Sequence, residues 1–324
     1  MNFAEPLKID ENLTLETRIL PSPMAGVMGP VYCRAASEMG LIRNWFMPFL
    51  SVTAGSVPSH AALRRKLAPY RNGKPLIAQI LGHDPASMAE AAKRLAEAGA
   101  AGVNLNFACP APMVLKNGNG GAVLADPGLM AEIADAVMKS AGTLANISVK
   151  IRAGAESPDE LPAIAGALHA ADIRFVICHF RTVGEMYGPV EDPLPRLARL
   201  RGLLPPETVL FGNGNIGGPE AAERMCRETG CAGAAVGRAL VSDPFVLRKI
   251  ERGSRAAVTQ EERLDFLRHV LEAARALNRY SKRWMQTSFL GFVRMCVGEE
   301  TPLFREIAAD PFRFAEKLTD GAGK

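Results

Sequence analysis

The side chain best suited to take part in a reaction in this sequence is the thiol of Cys109. It stands in the stretch LNFACPAPMVLKNGNGG, residues 105–121, after a short apolar strand and within a segment that its prolines and glycines should keep as a loop. Barrel enzymes carry their reactive groups on loops at the C-terminal ends of strands. Most free cysteines are instead small buried apolar residues. The role of Cys109 therefore depends on what the other strand ends offer.

The ends of neighbouring strands supply further polar and reactive side chains. The fifth predicted strand ends in VKIR and the sixth in CHFRT, which brings a lysine, a histidine and an arginine to one edge. An amide lies at the end of the third strand, another lies at the end of the fourth, and the first strand ends in PSPMAGVMG. In chain order these candidates are Met24, Ala25, Gln79, Asn106, Lys150, His179 and Arg181.

Two glycine-rich segments after the last two strands predict a phosphate site. They are GNGNIGG, residues 212–218, and VGRAL, residues 236–240. Barrels commonly bind phosphate between these two loops, where glycines let the ligand approach backbone N–H groups. The Arg238 guanidinium adds a charge-assisted donor. With Lys150 and His179 beside it, the site suits flavin mononucleotide (FMN), whose ring electronics a lysine can tune.

Other chemistries find no support in the sequence. No pair of carboxylates stands at the strand ends, which argues against glycoside hydrolysis. There is no H-E-x-x-H motif and no cysteine cluster, so no metal site is predicted.

The pattern of elements predicts a (β/α)8 barrel, the TIM-barrel fold. Short apolar runs alternate with helices, three of which begin at Asp84-Pro85, Asp126-Pro127 and Gly218-Pro219. Eight strands each followed by a helix form such a barrel, with a doubly wound sheet as the alternative. The predicted strands are 18–24, 46–52, 76–80, 102–106, 147–151, 175–179, 209–211 and 234–236.

The C-terminal part differs from the rest in pattern and charge. From about residue 243 only helical periodicity remains, so residues 1–244 are predicted as the barrel domain and 245–324 as a smaller all-helical domain. Residues 1–244 hold 23 basic and 23 acidic side chains, whereas 245–294 hold 11 and 5. The excess indicates a polyanionic partner, although an ordinary solvated helix face would also carry such charge.

Composition narrows the protein class. The chain has 324 residues, 48% of them apolar, with no run long enough to suggest a membrane span. The N-terminal residues lack the basic start and apolar run of a signal peptide. Six cysteines without a C-x-x-C pair favour a reduced, cytoplasmic protein. No heptad pattern or apolar surface stripe stands out, so a monomer is expected.

The motifs, taken together, resemble those of the tRNA-dihydrouridine synthases, flavoenzymes that reduce specific uridines in RNA with NADPH. PSPMAGV is similar to the family's first-strand motif, LIAQILG to its third-strand motif, and LNFACP with K-x-G-x-G-G to its catalytic loop. SVKIRAG, HFRT, GNGNIG and VGRAL then follow in family order. The resemblance covers nearly the whole chain.

The resemblance implies roles for individual residues. Cys109 would be the catalytic acid, Asn106 would meet the flavin or the substrate, and Arg181 would meet the substrate RNA. Basic residues of the helical domain would meet RNA phosphates: Arg275, Arg279, Lys282, Arg283 and Arg294. The flavin would be held by Pro23, Met24, Ala25, Gln79, Lys150, His179, Asn213, Gly214, Asn215, Gly237 and Arg238.

The implied reaction has two halves. NADPH reduces FMN and leaves, after which a uridine flipped out of its stack lies on the reduced flavin. Hydride goes to carbon 6 of the uridine, and Cys109 protonates carbon 5. The sequence leaves open which uridine is the target and whether the RNA is transfer or ribosomal RNA.

The chain departs from the family pattern near the expected site. Asn104 stands where the family usually has aspartate, Ala108 where it has glycine, and Asn215 where it has an acidic residue. A family motif expected after the second strand is replaced by SVTAGSVPSH, and a tryptophan after the Tyr187-Gly188 turn is missing.

Two other functions remain open on the sequence alone. One is an FMN barrel that acts on a free pyrimidine, against which the basic helical part argues. The other is an RNA-binding protein without catalysis, against which the presence of Cys109, Lys150 and His179 argues.

Overall fold

Eight parallel strands, β3 to β10, form the central barrel of the computed structural model, which describes residues 1–24, 28–71, 73–254 and 257–320. Their hydrogen-bonded order is β3-β10-β9-β8-β7-β6-β5-β4, and β3 and β4 contact each other to complete the ring. The strands are β1 Leu7–Lys8, β2 Thr14–Leu15, β3 Ile19–Pro21, β4 Trp45–Ser51, β5 Leu76–Leu81, β6 Gly102–Asn106, β7 Asn146–Arg152, β8 Phe175–His179, β9 Val209–Asn213 and β10 Gly233–Val236.

The predicted (β/α)8 barrel is confirmed, and each of the eight predicted strands overlaps an observed one. The antiparallel hairpin of β1 and β2 was not predicted. Its strands have two residues each, which is too short for an alternating pattern to show.

The hairpin closes the N-terminal end of the barrel. Leu13 and Leu15 pack in one fully buried cluster with Phe46, Phe175 and Phe211, whose side chains fill the barrel interior. The Phe175 and Phe211 rings meet edge to face, 5.3 Å between centroids. With this end filled, the C-terminal end is where the barrel can open to a ligand.

Helices surround the barrel and continue beyond it. Three of them begin where the sequence predicted: the Asp84 and Asp126 side chains cap the helices that start at Pro85 and Pro127, and another helix starts at Pro219. The helices are α1 Pro30–Glu38, α2 His60–Leu67, α3 Pro85–Glu97, α4 Pro112–Lys116, α5 Gly121–Leu124, α6 Pro127–Ala141, α7 Leu161–Ala170, α8 Leu194–Leu203, α9 Pro219–Thr229, α10 Ala239–Ser242, α11 Val246–Arg252, α12 Gln260–Ala276, α13 Lys282–Trp284, α14 Leu290–Val297, α15 Pro302–Ala309 and α16 Pro311–Asp320.

The segment after Cys109 corrects one expectation. It was expected to be a loop without helix, but it contains the short helices α4 and α5. Pro112 occupies the first turn of α4, where a proline needs no N–H partner. Glycines with positive φ, at Gly118 and Gly120, then turn the chain between the two helices.

The C-terminal helices pack against one side of the barrel. Helix α12 lies on α1, and Tyr32 of α1 meets Phe266 of α12 edge to face at 6.0 Å. A π-helical turn, Met285–Phe289, joins α13 to α14, so the segment 282–297 is one continuous helical stretch. Helix α11 contacts β3 and α9 of the barrel, and the division at residue 244 stays a prediction. None of the described helices is long and apolar enough to cross a membrane.

Candidate active site

A cavity of about 630 Å³ opens at the C-terminal ends of the barrel strands. Its size is within the range of pockets that hold cofactors and small ligands. Of the residues expected at a site, the cavity is lined by Pro23, Met24, Gln79, Asn106, Cys109, Lys150, His179, Asn213, Gly214, Asn215, Gly237 and Arg238.

The backbone around Cys109 is fixed on both sides of the thiol. The N–H groups of Ala108 and Cys109 both donate to Oδ1 of Asn106, each at 3.0 Å, and the Cys109 carbonyl accepts from Gly121 at 3.0 Å. A Cβ on Gly120, whose φ is +59°, would lie 3.0 Å from Cβ of Cys109. The half-buried thiol thus stands on a rigid turn that requires glycine beside it.

A chain of buried amides continues from this turn across the barrel. Nδ2 of Asn106 donates to Oε1 of Gln79 at 2.9 Å, and Nε2 of Gln79 donates to Oδ1 of Asn104 at 2.8 Å. Nδ2 of Asn104 donates in turn to the Ser148 hydroxyl at 2.9 Å. Gln79, Asn104 and Ser148 are fully buried, so none of these amides can exchange its partner for bulk water.

Lys150 brings an ammonium group to the cavity from strand β7. Burial, followed by the neighbouring Arg152 charge, lowers the pKa of Lys150 from 10.5 to about 8. At neutral pH the side chain is mostly charged, and it is a cation that an anionic ligand would stabilise.

His179, at the end of strand β8, is held neutral. Burial lowers the pKa of this imidazole from 6.5 to about 2, and the Lys150, Arg152, Arg181 and Arg238 cations lower it further in the same direction. Nδ1 accepts the backbone N–H of Arg181 at 3.2 Å. A neutral ring that accepts at Nδ1 carries its hydrogen on Nε2, so His179 offers the cavity an N–H donor.

The loops after β9 and β10, for which the sequence predicts a phosphate site, both line the cavity. Oδ1 of Asn215 accepts from both Arg181 at 3.2 Å and Arg238 at 3.0 Å, which fixes the two guanidinium groups. A Cβ on Gly217 would meet nothing within 4 Å, and one on Gly237 only ordinary contacts at 3.7 Å or more. Both glycines line the cavity, and their bare backbone leaves it room beside Arg238.

Arg152 is the main site residue that the sequence analysis missed. Its guanidinium is almost fully buried and donates to three backbone carbonyls: Ala108 at 2.9 Å, Thr182 at 2.8 Å and Met186 at 2.6 Å. It thereby ties the turn of Cys109 to the loop after β8. The signal was available, because residues two apart on a strand share a face and Lys150 is two residues away.

Tyr187 and Phe49 also line the cavity and were not expected there. The Tyr187 ring is 54% exposed, and the guanidinium carbons of Arg152 and Arg238 lie 5.3 and 5.5 Å from its centre. Its position depends on an irregular loop, which no periodic pattern predicts. Phe49 belongs to a strand whose register shifts in this region.

Arg181, expected at the barrel site, does not line the cavity. It is buried behind the wall, where Nε donates to the Gly188 carbonyl at 2.6 Å and Nη1 to Asn215. Ala25, also expected at the site, lies outside the described residues.

The five basic residues expected to meet RNA phosphates are exposed. Arg275, Arg279, Lys282, Arg283 and Arg294 all lie at the surface. Arg294 is engaged by Glu299 at 2.9 Å. Trp284, partly buried, packs on the rings of Tyr280, Phe289 and Phe292, so its indole belongs to the core of this part.

Among the described residues, the charged side chains that line the cavity are all basic. Lys150, Arg152 and Arg238 line it, whereas no carboxylate does in the part of the chain that the structure describes. Cations without carboxylates, next to exposed glycine backbone, select an anionic ligand.

Comparison with known proteins agrees with this geometry. The family model described as dihydrouridine synthase (Dus) matches residues 20–295. The tRNA-dihydrouridine synthase B of Pseudomonas aeruginosa is 30% identical over 242 residues, which are 74% of this chain and 70% of that protein. The tRNA-dihydrouridine(16) synthase of Vibrio parahaemolyticus is 28% identical over 301 residues, 90% of this chain and 91% of that protein.

Solved structures share the fold at low sequence identity. The old yellow enzyme of Trypanosoma cruzi superposes with a TM-score of 0.58 at 12% identity, covering 81% of this chain and 94% of that one. Histamine dehydrogenase of Rhizobium sp. 4-9 superposes with a TM-score of 0.60 at 14% identity, covering 84% of this chain and 51% of that one. The family match includes every strand of the barrel except the first residue of β3, together with the helices as far as α14, and on that match this chain belongs to the dihydrouridine synthase family.

Proposed function

We propose that this chain reduces a uridine of tRNA to 5,6-dihydrouridine, with FMN as its bound cofactor and NADPH as the reductant. Family membership supports uridine reduction. The observation that carries the finer proposal is the cavity wall itself, which combines the Cys109 thiol with three cations and no carboxylate among the described residues.

The residues present fit a flavin phosphate. Arg238 is aimed by Asn215, and the glycine backbone at Gly217 and Gly237 gives a phosphate room to approach. These residues would hold the phosphate, which a guanidinium and exposed backbone N–H groups both favour. The neutral His179, with its Nε2 donor, adds a hydrogen bond without a further charge.

The remaining polar wall suits the flavin ring. Gln79 and Asn106 offer amide groups and Lys150 offers a positive charge, all from strand ends that border the cavity. When bound, FMN supplies a hydride to the pyrimidine. A lysine ammonium near the ring favours negative charge on it. Burial, followed by the Arg152 charge, lowers the pKa of Lys150 to about 8, and an anionic ligand beside this ammonium would oppose that shift.

Cys109 is the proton donor in this proposal. Its thiol holds one proton on Sγ and gives it to carbon 5 of the uridine, while the hydride reaches carbon 6, so the double bond gains two hydrogens. The thiolate then takes a proton from water. The turn that fixes Ala108, Cys109 and Gly121 holds Sγ in place for this transfer.

The RNA substrate must deliver a single base to the cavity. A pyrimidine stacked in folded RNA cannot lie flat on a ring inside a pocket of about 630 Å³, so the uridine has to leave its stack. The exposed cations of the helical part, Arg275, Arg279, Lys282 and Arg283, would hold the surrounding RNA by its phosphates.

The test is a nucleotide-resolution map of dihydrouridine in total RNA from cells with and without this gene. The proposal expects one or a few tRNA positions to lose the modification. Loss of an rRNA position instead would keep the reaction but change the substrate. No loss at any position, with a yellow FMN-containing protein and no second gene of the family, would contradict the proposal and favour a free pyrimidine.

A further inference from the structure

The buried amide chain has only one consistent hydrogen-bond direction. The N–H groups of Ala108 and Cys109 can only donate, so the Asn106 atom that they meet must be its oxygen. The Asn106 nitrogen then faces Gln79 and requires an acceptor there, which is Oε1. The backbone beside Cys109 thus determines the orientation of every amide that follows.

Asn104 is the second residue, after Asn106, that holds the Gln79 amide in this orientation. Oδ1 of Asn104 accepts from Nε2 of Gln79 at 2.8 Å. If the Gln79 amide turned over, its oxygen would face Oδ1 of Asn104 and its nitrogen would face Nδ2 of Asn106. Two acceptors and two donors would then oppose each other in a fully buried place, which is unfavourable.

The orientation decides what the cavity wall can recognise. Both acceptor directions of Asn106 Oδ1 are used by the two backbone N–H groups, so Asn106 has only an N–H left to offer. Gln79 retains one N–H on Nε2 after its bond to Asn104. Both residues line the cavity. This part of the wall therefore supplies N–H donors to carbonyl oxygens or ring nitrogens of a bound ring.

We propose that Asn104, which does not itself line the cavity, is a positioning residue: its Oδ1 anchors the Gln79 amide in the donor direction that Asn106 sets toward the ring of the bound cofactor. The inference rests on the proposed function for the identity of that ring. The hydrogen-bond chain that carries it is a property of the protein alone.

The experiment compares Asn104→Leu with Asn104→Asp and with a matched control. Leucine removes the acceptor for Gln79, whereas aspartate keeps a carboxyl oxygen in the same place. Asn44→Leu is the control, because Asn44 is an equally buried asparagine whose amide bonds Thr17, Ile19 and the Glu16 backbone and which does not line the cavity.

Two measurements are made on each variant. The first is a titration of the flavin-free protein with FMN, which gives the dissociation constant and the visible spectrum of the bound flavin. The second is the hydrogen exchange of the Ala108 and Cys109 amides in the flavin-free protein. We expect Asn104→Leu to weaken FMN binding at least tenfold, to shift the flavin spectrum and to speed exchange of the two amides at least tenfold. For Asn104→Asp and Asn44→Leu, the dissociation constant and the exchange rates should stay within about threefold of the parent values.

The outcomes separate this inference from the proposed function. Unchanged amide exchange in Asn104→Leu, or an equal loss in Asn104→Asp, would overturn the positioning role. A parent protein that binds no FMN would overturn the proposed cofactor, while the exchange measurement would still decide the role of Asn104. If Asn104→Leu does not fold, the smaller Asn104→Ala carries the same expectation.

Discussion

The guanidinium of Arg152 donates a hydrogen bond of 2.9 Å to the carbonyl oxygen of Ala108, the residue before Cys109. The same guanidinium bonds two carbonyls of the loop after β8. One buried side chain therefore links the proposed proton donor to the loop that carries Tyr187. Geometry at the reacting atom depends on such supports, and a displacement of about 1 Å can lower a rate about a hundredfold.

Replacement of this arginine tests the link. Arg152→Lys keeps the charge, but an ammonium cannot serve three carbonyls placed for a guanidinium. We expect turnover to fall about tenfold to a hundredfold and the free energy of unfolding to fall by about 2 kcal/mol. Steady-state kinetics and urea unfolding measure both. Arg224→Lys, in an exposed helix pair, is the control and should change neither. A variant with parent turnover would show that the link does not position Cys109.

Lys150 should reduce the stability of the flavin-free protein. Its pKa falls from 10.5 to about 8 because its charged form is buried, so below pH 8 that charge opposes folding. Water in the cavity partly solvates the ammonium and reduces the cost of burying it. We therefore expect Lys150→Met to raise the free energy of unfolding at pH 7 by about 2 kcal/mol. The same change should weaken FMN binding about tenfold or more, since a charged partner is lost.

The control for Lys150 is Lys139→Met on the exposed face of α6, where the ammonium is solvated. It should leave both FMN affinity and stability near the parent values. A Lys150→Met protein that is less stable than the parent at pH 7 would contradict the assignment of an unfavourable buried charge.

The neutral, buried His179 should make the folded protein less stable as the pH falls. Its pKa is about 2 in the folded protein and 6.5 in an unfolded chain, so between these values the unfolded chain binds one more proton. The free energy of unfolding should therefore fall as pH falls below 6.5, by at most about 1.4 kcal/mol per pH unit from this residue. His179→Gln should remove that part of the slope, measured by urea unfolding from about pH 4.5 to about pH 7. The exposed His169→Gln is the control, and an unchanged slope in the His179 variant would refute a neutral buried imidazole.

Gly120 should resist any side chain. A Cβ there would meet Cγ1 of Val114 at 2.9 Å and Cβ of Cys109 at 3.0 Å, in addition to the strain of φ +59°. We expect Gly120→Ala to destabilise the protein by more than the roughly 1 kcal/mol of the φ strain alone, and to slow turnover. Gly40→Ala isolates that strain, because its φ is +64° and its Cβ would meet nothing within 4 Å. Equal effects of the two substitutions on thermal unfolding and turnover would argue against the contact with Cys109.

The exposed cations of the helical part should govern RNA affinity. Replacement of Arg279, Lys282 and Arg283 by glutamine removes three charges from the surface and touches no residue of the cavity. The plot of log RNA affinity against log salt concentration has a negative slope, whose magnitude should fall by about 2 to 3, with FMN affinity unchanged. Filter binding of tRNA over a salt series measures it. Arg224→Gln on the barrel surface is the control, and an unaltered slope in the triple variant would place the RNA elsewhere.

Sequence patterns predicted the barrel well because each strand is a short apolar run and several are followed by a clear helix start. Asp84 and Asp126 indicated their helices through capping and proline chemistry. The motifs likewise brought Cys109, Lys150 and Arg238 to one cavity, since strand C-termini share an edge.

The parts that the sequence did not predict depend on tertiary contacts. Tyr187 lies on an irregular loop that Arg152 and the Arg196–Glu185 ion pair hold in place. Helix α4 forms where prolines and glycines suggested only a loop. Asn104 is one more polar residue of a strand until its partners are known, and only the distances show that it holds Gln79.

The central claim is that Cys109 donates the proton that completes uridine reduction. The most direct measurement is single-turnover formation of dihydrouridine in unmodified tRNA by FMN-loaded, pre-reduced protein, with the parent compared with Cys109→Ala. We expect the parent to form dihydrouridine and the variant to bind FMN and tRNA normally but react about 10²- to 10⁴-fold more slowly. A Cys109→Ala protein that reacts at the parent rate would contradict the account.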